Sequence, residues 1–582
     1  MPRTRLFLLP LLACAAIGSA IAQDAGSEYA IVGINVIPMD EEGILDNQTV
    51  VIADGEIQSI GDTASTTLAA DILQVSGNDQ YLIPGLADLH IHLAHEDELL
   101  NYLSWGMTTV MHLGGSGETG QEILEYREQI EDGTRLGPNI ITTGRILDGD
   151  PAVATGAMSI SSAEEARQAV LDLKSAGFDF AKIYNNVSQP VFEAIIDEAQ
   201  RQGIAVIGHI PRGFDALAAL GSGQNAVVHT EEFFFTYFEG PRSTEKMTRD
   251  YQPDYRKLPT LIEVLAGNNV AVMPDLSFTF TNLLMWDELD HVWQDREFDY
   301  LHPATASMWE GGNINRRAEL ENHIVRDQWK YNLMQRLTRD FQEAGILQVI
   351  GTDASLPGLF PGEAAHRELT ELVKAGLSNF DALAIGSSNA GEFVRRYIDD
   401  EVRVGLVKPG YRADLVLLNS NPLDDVRNAR DISAVVVNGR LTKKSELDER
   451  RAALLQRYDY LRDLNTDVDV AMESADAGKR LQKIVRASDD DEEALETIES
   501  RINAAGYAAA FAGEFDRSEF LLEINTRLFP NSANTWDSLA ELTHYRGDKD
   551  RALQLYRKAL QADPSFGSAK DAIERIQRDE AQ

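Results

Sequence analysis

His90 and His92 stand two residues apart at the end of an apolar run, 81–93, that reads YLIPGLADLHIHL. In a strand, residues i and i+2 point to the same side, so this spacing turns both imidazoles one way. Two neutral imidazoles side by side are the beginning of a divalent-metal site. Pro84-Gly85 ahead of the pair and Asp88 beside it make the string more specific than a bare H-x-H, which is common and usually solvated. Other residues suited to metal chemistry close further apolar runs: Lys182 in DFAKIYN, His209 in IAVIGHI, His229 in AVVHTEE and Asp353 in LQVIGTDAS. Each has an ordinary explanation taken singly. A strand lysine can snorkel, a lone histidine is most often a hydrogen-bonded core residue, and an aspartate after Gly-Thr can cap a helix. Four histidines, a lysine and an aspartate at the same end of several strands are hard to explain as packing.

The runs belong to a regular series. Between residues 81 and 390, eight strand-like segments (81–93, 108–115, 139–146, 179–185, 204–210, 226–232, 270–278 and 347–355) alternate with polar-faced helical segments. Such alternation predicts the α/β class and a (β/α)8 TIM barrel, whose chemistry sits at the C-terminal ends of the strands. All six candidates fall there. Ahead of the series, short β-rich runs between Tyr29 and Val75 are separated by Gly, Asp and Asn and predict a small β domain.

With these residues in view, the chain resembles the amidohydrolase superfamily of metal-dependent hydrolases. PGLADLHIH is similar to that family's first-strand signature, and GHI, VVH and GTD to its later ones. KPGYRADLVLL (408–418) is characteristic of it, and the segment 366–394 resembles the imidazolonepropionase-like and prolidase-like branch. The resemblance spans roughly residues 28–447. It implies a β-sandwich from 28–80 and 404–447 flanking a barrel at 81–403. It also implies two divalent metal ions, with zinc the default for His and carboxylate ligands. His90, His92 and Asp353 would hold the more buried ion, His209 and His229 the outer one, and a carboxylated Lys182 would bridge them. A hydroxide shared by the two metals would attack the scissile carbonyl. Asp353 would take its proton and pass it to the leaving amine. The expected substrate is a small molecule or short peptide with an amide bond, such as a dipeptide or an N-acyl amino acid. A cyclic-amide or lactone hydrolase is the alternative on the same site. A non-catalytic metal-binding scaffold is the alternative of another class, and the intact set of six ligands argues against it.

Substrate contacts are less legible. Tyr184 shares a strand face with Lys182 and is placed to hydrogen-bond a substrate carbonyl or carboxylate, although packing at the barrel mouth explains it equally well. Arg212, in HIPRG, is of the type that pairs with a carboxylate, and His112, after the second strand, is a supporting or core histidine. Where relatives often carry Gly-Gly-His after the third strand, this chain has ILDGDPAVATGAM (146–158), which weakens any transfer of prolidase-like contacts. The segment 233–307 is rich in aromatics, including Phe233, Phe234, Phe235, Trp286 and Trp293, and is a candidate wall for an apolar pocket.

The 582 residues carry a net charge of −40, which excludes a nucleic-acid partner because phosphate binding needs a basic face. Residues 1–22 read as a signal peptide, with Arg3 and Arg5 before an apolar run and Ala20-Ile21-Ala22 offering a cleavage site. An exported protein, periplasmic or secreted, is expected. Cys14, the single cysteine, lies in that peptide and makes lipid anchoring the lesser option. From 449 to 582 the chain turns to helical, Ala- and Leu-rich sequence. Trp536, Leu539, Gly547, Ala552, Tyr556, Ala559 and Pro564 fit a 34-residue tetratricopeptide pattern, with a weaker copy 34 residues earlier. This predicts a surface for a protein partner or for self-association.

Overall fold

A computed structural model describes residues 28–77, 79–115, 120–154, 156–239, 252–287, 295–307, 309, 320–564 and 566–581. The signal peptide, Cys14 and Trp293 lie outside them. Gly85 divides the apolar run that reads as one strand. A Cβ at this position would fall 1.9 Å from the Thr108 hydroxyl, so only glycine lets the chain pass. Before it, Tyr81–Pro84 pairs antiparallel with Leu415–Leu418 in the flanking sheet. After it, Leu86–Ile91 runs parallel to Met107–His112. The run that reads as one strand is therefore two, in two different sheets.

The two segments expected to form a sandwich are joined in one hydrogen-bonded sheet of eight strands. Its path runs from Arg440–Lys443 through Ile432–Val437, Leu415–Leu418, Tyr81–Pro84, Tyr29–Val36 and Leu45–Ala53 to Glu56–Asp62, with Leu73–Ser76 also paired to Tyr29–Val36. Ile31, Val50, Leu82, Leu415 and Val436 are fully buried in its core.

The remaining strands are parallel and arranged barrel-like. Asn139–Thr142 follows Met107–His112 in one sheet, and Phe180–Ile183, Ala205–Gly208, Ala226–Val227 and Ala271–Val272 follow one another in a second. Asp179 N donates to Thr142 O at 2.9 Å between the two sheets. Residues 347–355 lie between the last of these strands and the first: Val272 N donates to Leu347 O at 3.0 Å and Leu89 N to Ile350 O at 2.8 Å. Side chains alternate accordingly. Leu89, Met111, Ile141, Phe180, Ile207, Val228 and Met273 form a cluster made mostly of strand residues, while neighbours of the other parity pack on helices. Lys182 and His209 share the parity of the strand cluster, being two residues beyond Phe180 and Ile207.

Beyond the sheet the chain is helical: Lys444–Met472, Ala477–Ala487, Glu492–Phe511, Phe515–Leu528, Ala533–Tyr545, Lys549–Ala562 and Gly567–Ala581. Leu539, Ala552, Tyr556 and Ala559 are buried between these helices. Among the described residues no helix is long and apolar enough to cross a membrane.

Candidate metal centre

The strand ends that carry the candidates turn sharply. Asp353, His229 and Asp275 adopt φ of 63°, 60° and 56°, a region that Asp and His enter more readily than most residues and that clusters at functional sites. Gly351 lies so close to the first strand that a Cβ there would stand 2.7 Å from the Cβ of His90. Asp88 ties the same two strands from below. It is fully buried and accepts from Thr352 Oγ1 (2.6 Å), Thr352 N (3.2 Å) and His90 N (3.3 Å). Burial nonetheless raises its carboxyl to about 7.

Side chains from the ends of two strands reach Asp353. Its Oδ1 lies 3.2 Å from His90 Nε2 and 2.9 Å from His92 Nε2, and its Oδ2 lies 3.8 Å from His229 Nε2. The His229 ring is 4.6 Å from that of His90 and 5.0 Å from that of His209. One ligand atom each from His90, His229 and Asp353 lie within 4.8 Å of one another. Two of the imidazoles are oriented from outside. His92 Nδ1 donates to the Gly114 carbonyl and His229 Nδ1 is held by the Asp275 carboxylate, so each turns Nε2 to the centre. An outer acceptor on one ring nitrogen is the usual way to fix a metal-binding histidine.

The electrostatics suit a cation. Burial, with Lys182 and His229 nearby, holds His90 well below its ordinary value, and burial with Lys182 does the same to His209. Burial would also lower His229, but Asp275 and Asp353 outweigh it and hold it at about 9. Burial would raise Asp353, yet His90 and His229 keep it well below the carboxylate range. Burial pushes the Lys182 ammonium down to about 7. Neither ring nitrogen of His90, nor His209 Nδ1, nor Lys182 Nζ makes a hydrogen bond among the described residues. Buried polar atoms are rarely left so. This nitrogen-and-oxygen set fits divalent ions of the zinc type.

The substrate candidates are placed unequally. The Tyr184 ring lies 4.1 Å from the His209 ring, tilted at 53° to it, and burial raises its hydroxyl so that it stays a donor. Arg212 Nη2 pairs with buried Glu232 at 2.9 Å, its guanidinium 4.9 Å over Phe235. His112 accepts from Leu93 N at 3.1 Å, its ring 6.5 Å from His92, so it supports the histidine strand rather than facing the centre. Phe233 and Phe234 are fully buried in the core and Phe235 is half-buried beneath Arg212. Phe278 stands 5.8 Å from the His229 ring. Sequence reasoning did not find Asp275, whose signal was a second carboxylate at a strand end, in MPDLSF.

Imidazoles and a carboxylate gathered at the ends of parallel strands, with nitrogens left for a cation, point to the class of metal-dependent hydrolases. Residues 81–442 match the Amidohydrolase family, and the chain belongs to it; its members are generally metal-dependent and act on carbon–nitrogen bonds. Ochratoxinase of Aspergillus niger is 24% identical over 425 residues, covering 69% of this chain and 83% of its own. Solved structures of the same fold include a putative prolidase from Bifidobacterium longum (23% identity, TM-score 0.55, 74% of this chain and 99% of that one). A bottromycin amidohydrolase is similar at 22% identity and TM-score 0.58, over 74% of this chain and 90% of its own.

Proposed function

We propose that this chain is an exported, binuclear metal-dependent hydrolase that cleaves an amide bond in a dipeptide or N-acyl amino acid, on a closed eight-stranded barrel. The observation that carries the reading is the set of buried nitrogens of His90, Lys182 and His209 that make no hydrogen bond among the described residues, together with the approach of His90, His92 and His229 to Asp353. Relatives named as prolidase and amidohydrolase support the amide class. His90, His92 and Asp353 would hold one ion, His209 and His229 the other, and Lys182, as a carbamate, would supply oxygens to both. Bound there, divalent ions lower the pKa of water and polarise a carbonyl. Asp353 then takes the proton and delivers it to the departing amine. The His92–Gly114 and His229–Asp275 hydrogen bonds keep the Nε2 atoms aimed while this happens. The Tyr184 hydroxyl, over His209, donates to the substrate carbonyl or carboxylate. The C-terminal helices are read as tetratricopeptide-like.

The test is metal analysis of the purified mature chain together with turnover on a library of dipeptides and N-acyl amino acids. About two ions per chain with amide cleavage is expected. A single ion removes Lys182 from the bridge. No ion and no turnover after reconstitution overturns the proposal in favour of a scaffold.

A further inference from the structure

Helix Glu98–Ser104 follows directly on the first-strand histidines, and its first residue reaches back to them. Glu98 is 1% exposed, and its Oε2 accepts from the Ala94 amide at 3.0 Å and from the Ser355 hydroxyl at 2.9 Å. Ala94 is two residues past His92 and Ser355 two past Asp353. One carboxylate oxygen therefore joins the loop leaving the histidine strand to the loop leaving the aspartate. The backbones meet there too, with Ser355 N donating to His92 O at 3.3 Å.

The same helix and its N-cap are gripped by Lys444–Met472. The Tyr458 hydroxyl donates to Asp97 Oδ2 at 2.8 Å, and Arg451 Nε donates to Asn101 Oδ1 at 3.2 Å. The Arg451 guanidinium stacks 3.6 Å from the Tyr300 ring centroid and pairs with Glu297, which also accepts from Trp105 Nε1 at 3.1 Å. In the same seam His95 and His302 stack at 3.9 Å, and His302 Nε2 lies 3.4 Å from Glu493 of Glu492–Phe511. Tyr458 and Arg451 are buried, where a polar group without its partner is costly. A helix of seven residues cannot hold itself in place. Its position is set by what packs on it.

We propose that the C-terminal helices are a working part of the active site: through Tyr458, Arg451 and the helix Glu98–Ser104 they set the spacing of His92 and Asp353, with Glu98 as the positioning residue. Only the effect on turnover rests on the hydrolase reading; the mechanical link stands apart from it.

The test uses the full chain with Tyr458→Phe and Arg451→Met combined. As a control, Tyr507→Phe loosens the helices away from the seam by removing a 2.6 Å bond to Glu541. Hydrogen exchange should quicken in peptides spanning 92–98 and 353–356 in the docking variant, and should not change at 180–183 or in the control. On the best amide substrate kcat should fall on the order of tenfold with KM within about twofold. Glu98→Ala should give the same exchange pattern, and Glu98→Gln, which keeps an oxygen acceptor, should recover part of it. Unchanged exchange in both peptides of the docking variant overturns the proposal. If that variant does not fold, equal exchange in Glu98→Ala and wild type overturns it instead. A wild-type chain without turnover sinks the hydrolase reading and leaves the exchange result to decide this one.

Discussion

Asp275 orients His229 from behind, so Asp275→Asn should weaken metal binding by about 10- to 100-fold, read by competition with a chelator; full retention would remove it from the site. Asp353→Asn should lower turnover by about 10²- to 10⁴-fold at an unchanged melting temperature. If activity persists, the proton moves by another route. Lys182→Ala should lose one ion, and partial rescue by short carboxylic acids would reveal the missing carbamate. The residues behind these predictions were unequally visible in sequence. His90, His92, Lys182, His209, His229 and Asp353 were legible because each ends an apolar run. Asp275 was not, since Pro-Asp after a strand reads as an ordinary turn. Asp88 was visible beside the histidines, but its role needs Thr352, 264 residues further along, and no local pattern carries that.

At the scale of elements, the close approach of the aspartate segment to the histidine strand depends on Gly351. Gly351→Ala puts a methyl 2.7 Å from the His90 Cβ. The two strands would have to part, which costs about 1–3 kcal/mol. Both the melting temperature and the metal content should fall together. A fall in stability with full metal content would show that the strands adjust without disturbing the ligands. The eight runs gave the order of the parallel strands, but not their ends. Both sides of Gly85 are apolar and buried, so hydrophobicity passes straight through the point where the chain changes sheets. The missing Gly-Gly-His also became intelligible only in three dimensions. Asp148 organises that loop instead, accepting from Gly149 N, Val153 N and Asn186 N at 2.7–2.9 Å.

Across the whole molecule, buried neutral histidines govern acid stability. Burial lowers His112 to about 3, aided by His92, and lowers His366 to about 3, aided by Arg430. Both folded values lie below the ordinary 6.5, so their contribution is complete above that pH and is lost as pH falls toward 3. Each adds a slope of about 1.4 kcal/mol per pH unit within the window. Melting followed from pH 7 to 4 should show the decline. In His366→Gln, whose amide can still donate to the Trp105 carbonyl that Nε2 bonds at 2.7 Å, it should be shallower; an equal slope would place the acid sensitivity elsewhere. Composition announced the C-terminal helices, but nothing local announced that Tyr458 and Arg451 dock on the first helix. The flanking sheet carries a last consequence, for the order of events at the ribosome. Gln80 Nε2 donates to Asn419 Oδ1 across 339 residues of intervening chain, and of the two edges of Tyr81–Pro84 one pairs with Tyr29–Val36 while the other is covered by the distant Leu415–Leu418. The first strands made must wait, with an open edge, until nearly everything between has been synthesised. An unpaired edge invites neighbours, so a nascent chain stalled before residue 415 should be the species that a chaperone has to guard.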